Sequence, residues 1–366
     1  MKVVVVADFC YPNYIGGSAR YVYDLVKGFE ENKIDFLLIT RKQGGEYSLE
    51  EQDVFYQRIS EQGKVHEVKG LVSYLESIFL VGSKDLIMPH HPILGFLFSL
   101  LFSKKRISYF FHGPLHDEFK ARSNSWLGFK VRFFLQSFSL RRASKIFVLS
   151  SFMVREVLLI SSQAKVTVVP AIVDVDKFTV NENKLKLREK FSIPLDKRVL
   201  FTSRRLTPRT GVIELADSFI KNFSFEDYHL IIVGQGELSQ QLQHLINKSE
   251  NISFLRFVTD HDLKLLMRLS DVYVLPTRKL EGFGLVVLEA LSLKLPVVVS
   301  DYSGGAVEFI SKYHNDLIFE LDNVKSLKRC IESALLIDKT NDALFKAVID
   351  YDYKTVSNYI YESIYR

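Results

Sequence analysis

The sequence predicts an α/β protein made of two doubly wound domains, each with a parallel sheet covered by helices. Three observations carry this. The chain has 366 residues, too many for one ordinary core and suited to two. Short apolar runs alternate with amphipathic segments along its whole length, the pattern of parallel strands and crossover helices. Its composition is 47% hydrophobic and 25% charged, the range of a folded soluble protein.

The elements come in order. "KVVVVAD" opens the chain and reads as a buried parallel strand, because both of its faces are apolar. "GGSARYVYDLVKGFEE" comes next, with apolar positions at helical spacing. "DFLLIT", "KDLIMPH", "KRISYFFHG", "SKIFVLS" and "KVTVVPAI" continue the strand series. A second series begins after "VDVDKFTVNENKLK", with strands "KRVLFTSRR", "YHLIIVGQG", "NISFLRFV", "DVYVLPT" and "LPVVVSDY". Helices "GVIELADSFIKNF", "ELSQQLQHLINKS", "DHDLKLLMRLS" and "GLVVLEALSL" lie between them. The domains are therefore expected at 1–175 and 176–350, joined near 172–182. The aromatic segment "DYDYKTVSNYIYESIYR" reads as a terminal helix that closes the second domain or crosses back to the first. Placing 351–366 with the first domain is the expectation adopted.

Several classes are set aside. Cys10 and Cys330 are far apart, which argues against a disulfide framework and fits a reducing compartment. The net charge of +5 is too diffuse to indicate nucleic acid. The N-terminal apolar run is too short for a signal-peptide core and Asp8 interrupts it. No run reaches about 18 apolar residues, so no spanning helix is expected.

In open parallel sheets, ligands bind beyond the carboxyl ends of the strands, so the loops there are the places to look for chemistry. Gly16 and Gly17 lie between the first strand and helix, where missing side chains let backbone approach a ligand. Arg204, Arg205 and Arg209 lie just after a second-domain strand, and guanidinium forks suit phosphate oxygens. In "EGFGLVVLE", residues 281–289, Gly282 and Gly284 flank Phe283. The N–H groups of Phe283, Gly284 and Leu285 open a helix and suit an anion. Glu281 precedes that helix, and Glu289 shares a face with its first turn. Glu289 sits within an apolar run, where a buried carboxylate needs a partner: a ligand hydroxyl pair, or Lys294. Gly234 and Gly236 read as a plain strand-to-helix turn. The pairs Asp174–Asp176 and Asp350–Asp352 have the look of a metal motif but are discounted for their positions.

These residues resemble the family-4 retaining glycosyltransferases of the GT-B fold. The likeness runs through "GGSAR", "FFHG" (110–113), "VVPAIVDVDKF", "SRRLTPRTGV", "VGQGEL", "FLRFVTDHDLKLLMRLSDVYVLPT", "EGFGLVVLEAL" and "PVVVSDYSGGAVEFI". It implies two Rossmann-like domains facing a central cleft, an acceptor-side first domain and a donor-binding second one. It also implies roles. Gly16 and Gly17 would approach the diphosphate and sugar, and His112 would sit beside the sugar. Arg204, with Arg205 and Arg209, would neutralise the diphosphate. Glu281, Gly282, Phe283, Gly284 and Leu285 would hold sugar hydroxyls and phosphate. Glu289 would bind the ribose, and Arg256, Phe257 and Val258 the base. His112, Arg204, Arg209 and Glu281 are the catalytic set. Where the family commonly has a lysine, this chain has Thr210, with Arg209 beside it to supply the charge; where a glycine is frequent it has Asp316.

The implied reaction moves a sugar from a nucleotide diphosphate sugar, UDP-glucose for example, to an acceptor hydroxyl in polysaccharide or glycolipid assembly. No metal and no cofactor are expected, and nucleic acid is not an expected partner. Glu281→Ala or Arg204→Ala is expected to abolish transfer in a protein that still folds. Segments 95–106 and 126–142 mix aromatics with cations. They read either as a membrane-surface patch or as sheet-packing helices with basic ends. The expected location is the cytoplasm, at the inner face of the cell membrane where those segments dock. The alternatives are a non-catalytic GT-B subunit, a nucleotide-sugar epimerase or a phosphorylase, for which no acid–base set or pyridoxal lysine stands out.

Overall fold

A computed structural model describes residues 1–14, 16–42, 54–115, 125–247 and 249–365. The chain divides into two compact units. Unit 1 is Met1–Val173 with Tyr351–Arg366, and unit 2 is Asp174–Asp350.

Unit 1 contains strands β1 (Val3–Ala7), β2 (Phe36–Arg41), β3 (Val65–Val68), β4 (Leu86–Pro89), β5 (Ser108–Phe110), β6 (Lys145–Val148) and β7 (Val166–Val168). Its helices are α1 (Gly17–Glu31), α2 (Val54–Glu61), α3 (Leu71–Phe79), α4 (Pro92–Leu101), α5 (Trp126–Arg141) and α6 (Ser151–Ile160). All strand pairings are parallel: β3-β2-β1-β4 form one ladder and β5-β6-β7 a second. A parallel bridge between Ile87 and Ile107 joins the two. β1 is buried at all five positions because it pairs on both edges, with β2 and β4, and is covered on both faces. That explains why its sequence is continuously apolar rather than alternating.

Unit 2 contains β8 (Arg198–Ser203), β9 (Tyr228–Val233), β10 (Ile252–Leu255), β11 (Val272–Leu275), β12 (Val297–Ser300) and β13 (Ile318–Phe319). Its helices are α7 (Lys184–Lys190), α8 (Val212–Asn222), α9 (Ser239–Ile246), α10 (Asp260–Leu269), α11 (Val286–Ser292), α12 (Gly305–Ile310), α13 (Val324–Leu336) and α14 (Ala343–Lys346). The order β10-β9-β8-β11-β12-β13 starts at a central strand, winds outward, then reverses. It has a switch point between β8 and β11, where doubly wound sheets bind ligands. At the opposite end of β8 and β11, Asp271 is the tether. It accepts the Val199 N–H at 2.6 Å and the Arg188 Nη2 at 2.7 Å, and pairs with Lys184. Burial alone would raise its pKa; the Lys184 contact beside it leaves it lowered.

The structure departs from the sequence reading at the sheet edges. β7 covers three residues of the expected strand "KVTVVPAI", and Val169, Ala171 and Ile172 are buried without belonging to a strand. β3 and β13 are not anticipated by the sequence: β3 carries His66 and Glu67 on a half-buried edge, and β13 is two residues long. Neither offers the apolar run that identifies a central strand.

The terminal helix α15 (Tyr353–Tyr365) packs in unit 1. Asn32 Nδ2 at the end of α1 donates to Lys354 O at 2.8 Å and Ser357 Oγ at 2.9 Å. Lys145 Nζ donates to Ser363 O at 2.8 Å and Ile364 O at 3.1 Å, where a cation also meets the negative end of the helix. The two helices approach at Gly28, where a Cβ would lie 2.2 Å from Ser357 Oγ and 2.5 Å from Tyr353 O. Gly28→Ala should therefore push α15 away and cost about 1–3 kcal/mol. Thermal unfolding measures the cost, and faster amide exchange in 353–365 than in α8 locates it.

Candidate active site

At the carboxyl end of the unit 2 sheet, the loop after β8 meets the loop after β11. Arg204 Nη2 is ion-paired with Glu281 Oε2, both side chains being 12% exposed. Thr277 Oγ1 donates to the same oxygen at 3.3 Å. Burial opposes the charge on both groups, but the pairing wins. Arg204 and then Arg209 pull the Glu281 pKa below the ordinary carboxylate value, and Glu281 raises that of Arg204. Donors remain here that the protein does not satisfy. Arg204 Nε is buried with no acceptor among the described residues, and the N–H groups of Gly284 and Leu285 donate to none of them. Glu281 Oε1 likewise accepts nothing there.

Backbone closeness holds the pair. Gly234, at φ 146°, lies where a Cβ would come 1.9 Å from Arg204 O. Gly304, at φ 54°, lies where one would come 2.0 Å from Glu281 O. Only glycine fits either place. Leu280 is itself left-handed at φ 58°, a conformation costly for a side-chain-bearing residue. Arg209 Nη1 caps its carbonyl at 3.0 Å. Thr210 is buried, and its hydroxyl bonds Thr207 O at 2.7 Å and Arg205 O at 2.9 Å, closing the arginine loop on itself.

The structure thus brings together Arg204, Arg209 and Glu281. Tyr273, which no sequence signal marks, joins them: it is fully buried and bonds Ser203 through its hydroxyl. Burial first, and Glu289 among its neighbours, raise its pKa, while Arg204 opposes. Glu289 therefore shares this neighbourhood. It is half-buried rather than buried, and Lys294 is exposed with its Nζ over Phe345, so the expectation of a sealed carboxylate does not hold. Phe283 is buried against Phe309 at 6.1 Å between centroids, and Gly282 O accepts the Gly305 N–H at 3.1 Å. Arg205 is exposed. Arg256 and Phe257 are exposed and Val258 half-buried, beyond the edge strand β10 and two strands away from β8. The helix after Gly284, α11, has seven residues. The buried pairing gives alanine variants a stability cost. Removing either partner leaves a buried charge, at about 3–5 kcal/mol.

In unit 1, His112 lies just after β5, and His90 and His91 just after β4. His112 Nε2 and His90 Nδ1 are 2.9 Å apart. His91 stacks on His112 at 5.4 Å and His90 on Phe110 at 4.9 Å. Burial keeps all three rings neutral: it lowers His91 to about 3 and, together with the neighbouring histidines, lowers His90 and His112 well below the ordinary value. Asp8 directly follows the apolar strand β1 and is buried there. It accepts the N–H groups of Leu94 at 2.8 Å and Ile93 at 3.3 Å, capping α4 and fixing the two histidines just before it. Its pKa is raised to about 6 by burial, against those hydrogen bonds and Arg41. Gly16 and Gly17 begin α1, with a Cβ at Gly16 meeting Tyr14 at 3.1 Å and one at Gly17 meeting nothing.

Residues 183–349 match the family model described as "Glycosyl transferases group 1", and residues 15–177 match "Glycosyltransferase Family 4". An Escherichia coli UDP-Gal:alpha-D-GlcNAc-diphosphoundecaprenol alpha-1,3-galactosyltransferase is 32% identical over 168 residues, 44% of this chain and 43% of its own. A GDP-mannose-dependent monoacylated alpha-(1-6)-phosphatidylinositol monomannoside mannosyltransferase of Corynebacterium glutamicum is 31% identical over 194 residues, 49% and 48%. The matched stretches thus span less than half the length of these curated relatives. Among solved structures, Anabaena HepE in complex with UDP and glucose is similar over 100% of both chains, with TM-score 0.76 and 18% identity. WaaG, a glycosyltransferase involved in lipopolysaccharide biosynthesis, covers 99% of both, with TM-score 0.66 and 16% identity. At these identities the likeness establishes the fold, GT-B.

The histidine cluster has a consequence for stability. A histidine held neutral binds fewer protons in the folded chain than in the unfolded one between its folded and unfolded pKa values, so stability rises with pH there. For His91 that window runs from about 3 to about 6.5. Asp8 acts oppositely between 3.8 and about 6, one group against three. Lowering the pH from 7 to 5 should therefore destabilise the chain, by about 2 kcal/mol from His91 alone. Denaturant unfolding of the wild type and His91→Phe at both pH values measures this, the variant showing the smaller drop.

Proposed function

The chain belongs to the family-4 glycosyltransferases of the GT-B fold, and from that premise we propose that it moves a sugar from a nucleotide diphosphate sugar to an acceptor hydroxyl. The transfer keeps the anomeric configuration and uses no metal. The observation that carries the reading is Arg204: a guanidinium paired with Glu281 that retains a buried Nε–H without an acceptor among the described residues. A desolvated donor of fixed charge is suited to a phosphate oxygen.

In this reading the leaving nucleotide diphosphate gains negative charge as the glycosidic bond lengthens. Arg204 Nε–H and the amides of Gly284 and Leu285 absorb it without reorganising. Glu281 holds Arg204 through Oε2 and accepts a sugar hydroxyl at Oε1. Glu289 takes the ribose, and Arg256, Phe257 and Val258 meet the base. Gly16, Gly17 and His112 act on the sugar and diphosphate from unit 1, which also receives the acceptor. The relatives' names include both UDP- and GDP-sugar donors; UDP-glucose is the donor favoured here, and polysaccharide or glycolipid assembly the setting.

A donor sugar nucleotide should raise the melting temperature by mass action in a panel of UDP-glucose, GDP-mannose and ADP-glucose, and the stabilising one should be cleaved slowly without acceptor. Arg204→Gln and Glu281→Gln should lower transfer at least about a hundredfold, with unfolding curves checking that each variant is folded. Full activity in either removes the site assignment, and ligand binding without nucleotide release favours a non-catalytic subunit.

No helix among the described residues is long and apolar enough to cross a membrane. Docking on its surface is a separate reading. α4 and α5 pack through Phe96 and Phe138, yet Trp126, Leu127, Phe134 and Leu101 are each more than half exposed. Lys130 Nζ lies 3.9 Å from the centre of the Trp126 ring. Aromatics beside cations suit an anionic bilayer surface. The protein should co-float with phosphatidylglycerol vesicles, and Trp126→Ser with Leu127→Ser should lose most of that binding; no flotation of the wild type at low salt would end the membrane reading.

A further inference from the structure

The family resemblance singles out His112 as the histidine that meets the sugar, and the structure adds a second one behind it. His90 is 2% exposed. Its backbone N–H donates to Val6 O at 2.8 Å, and its ring lies flat on Phe110, 5° from parallel, so both its backbone and its ring are held. Its Nδ1 is 2.9 Å from His112 Nε2. Its other nitrogen, Nε2, is buried with no partner among the described residues. His112 Nδ1 also bonds nothing there, but it is not among the buried unpartnered atoms, so it is the nitrogen a ligand can reach. The three histidines are not a metal-ligand set: no group of His, Cys, Asp or Glu among the described residues is arranged to hold an ion.

Two neutral imidazoles joined by one hydrogen bond can share their protons in two ways. If His112 Nε2–H donates, His90 carries its proton on Nε2, a buried N–H with nothing to receive it. If His90 Nδ1–H donates, the buried Nε2 is a bare acceptor, and His112 carries its proton on Nδ1. Orphaned buried N–H groups are the rarer defect, so the second arrangement is favoured. The hydrogen bond one ring nitrogen makes decides which nitrogen bears the proton.

We propose that His90 is a positioning residue: it donates from Nδ1 to His112 Nε2 and so sets His112 as the Nδ1-protonated tautomer, which presents an N–H donor to a hydroxyl oxygen of the transferred sugar. His91, stacked on the His112 ring at 20°, holds the ring plane while His90 holds the proton. The inference rests on the reading that His112 meets the sugar. It goes further by fixing the direction of that hydrogen bond, and thus the requirement for an acceptor atom at that place on the sugar.

The test uses the full chain with histidines labelled in 15N, and transfer or hydrolysis of UDP-glucose, or of the GDP- or ADP-sugar that the thermal-shift panel selects. At pH 7.5 the wild type should show His112 neutral with its proton on Nδ1. His90→Phe should move that proton to Nε2 and lower turnover about tenfold, the worth of one hydrogen bond, with little change in KM. The double variant with His112→Ala should be no slower than His112→Ala alone, because the two residues act as one unit. Losses that add independently, an Nε2-protonated His112 in the wild type, or a tautomer unmoved by His90→Phe would each overturn the proposal. If His90→Phe does not fold, the wild-type tautomer still decides. Full transfer by His112→Ala would instead remove the underlying assignment of His112 to the sugar, a failure visible without any spectrum.

Discussion

Unit 2 is organised around one buried ion pair, Arg204 with Glu281. A buried pair is poor evidence for stability, since desolvating two charges offsets most of their attraction. Here the surrounding chain is also bent to make it. Gly234 and Gly304 accept backbone at distances no side chain tolerates. Leu280 is held left-handed, with its carbonyl capped by Arg209. Strain concentrated on an expensive interaction is the pattern of a functional site, not of a core optimised for stability. The ionised carboxylate has a plain role in such a site. It keeps one end of the guanidinium occupied, so that the unsatisfied Nε–H faces a single direction.

Unit 1 solves the opposite electrostatic problem at its sheet end. Beside Asp8 and Arg41 it gathers three rings that burial keeps uncharged, His90 stacked on Phe110 and His91 on His112. Neutral rings can offer directed hydrogen bonds without adding net charge.

Much of the fold and part of the site are legible in the sequence, for physical reasons. Central strands such as Val3–Ala7 announce themselves because burial on both faces demands an unbroken apolar run. The loops with chemistry are found at the carboxyl end of each strand, since a parallel sheet puts all those loops on one side. The illegible parts depend on long-range geometry. Tyr273 looks like any core aromatic until its hydroxyl is seen on Ser203. His90 sits in a string of residues with no motif, and only the adjacency of β4 and β5 brings it to His112. Gly234 reads as a turn residue, and Gly304 carries no signal of its own, because nothing local says whose carbonyl either will meet. The edges β3 and β13 are invisible for want of an apolar signal.

The Thr210 position shows how such a site tolerates a change that looks severe in one dimension. A lysine is common there in the family, and its loss removes a cation from the loop that would face phosphate. In this chain the position is buried, and the Thr210 hydroxyl ties two carbonyls of its own loop. Arg209, one residue before it, caps Leu280 O with its guanidinium and helps hold the Glu281 pKa down, after Arg204. A cation that shapes the backbone before Glu281 acts on the same ion pair as one placed beside the phosphate. It does so by holding the carboxylate ionised and in place rather than by touching the ligand. The loop around Thr210 is closed by its own hydroxyl, and Arg209 acts on the ion pair through Leu280 O and the Glu281 carboxylate.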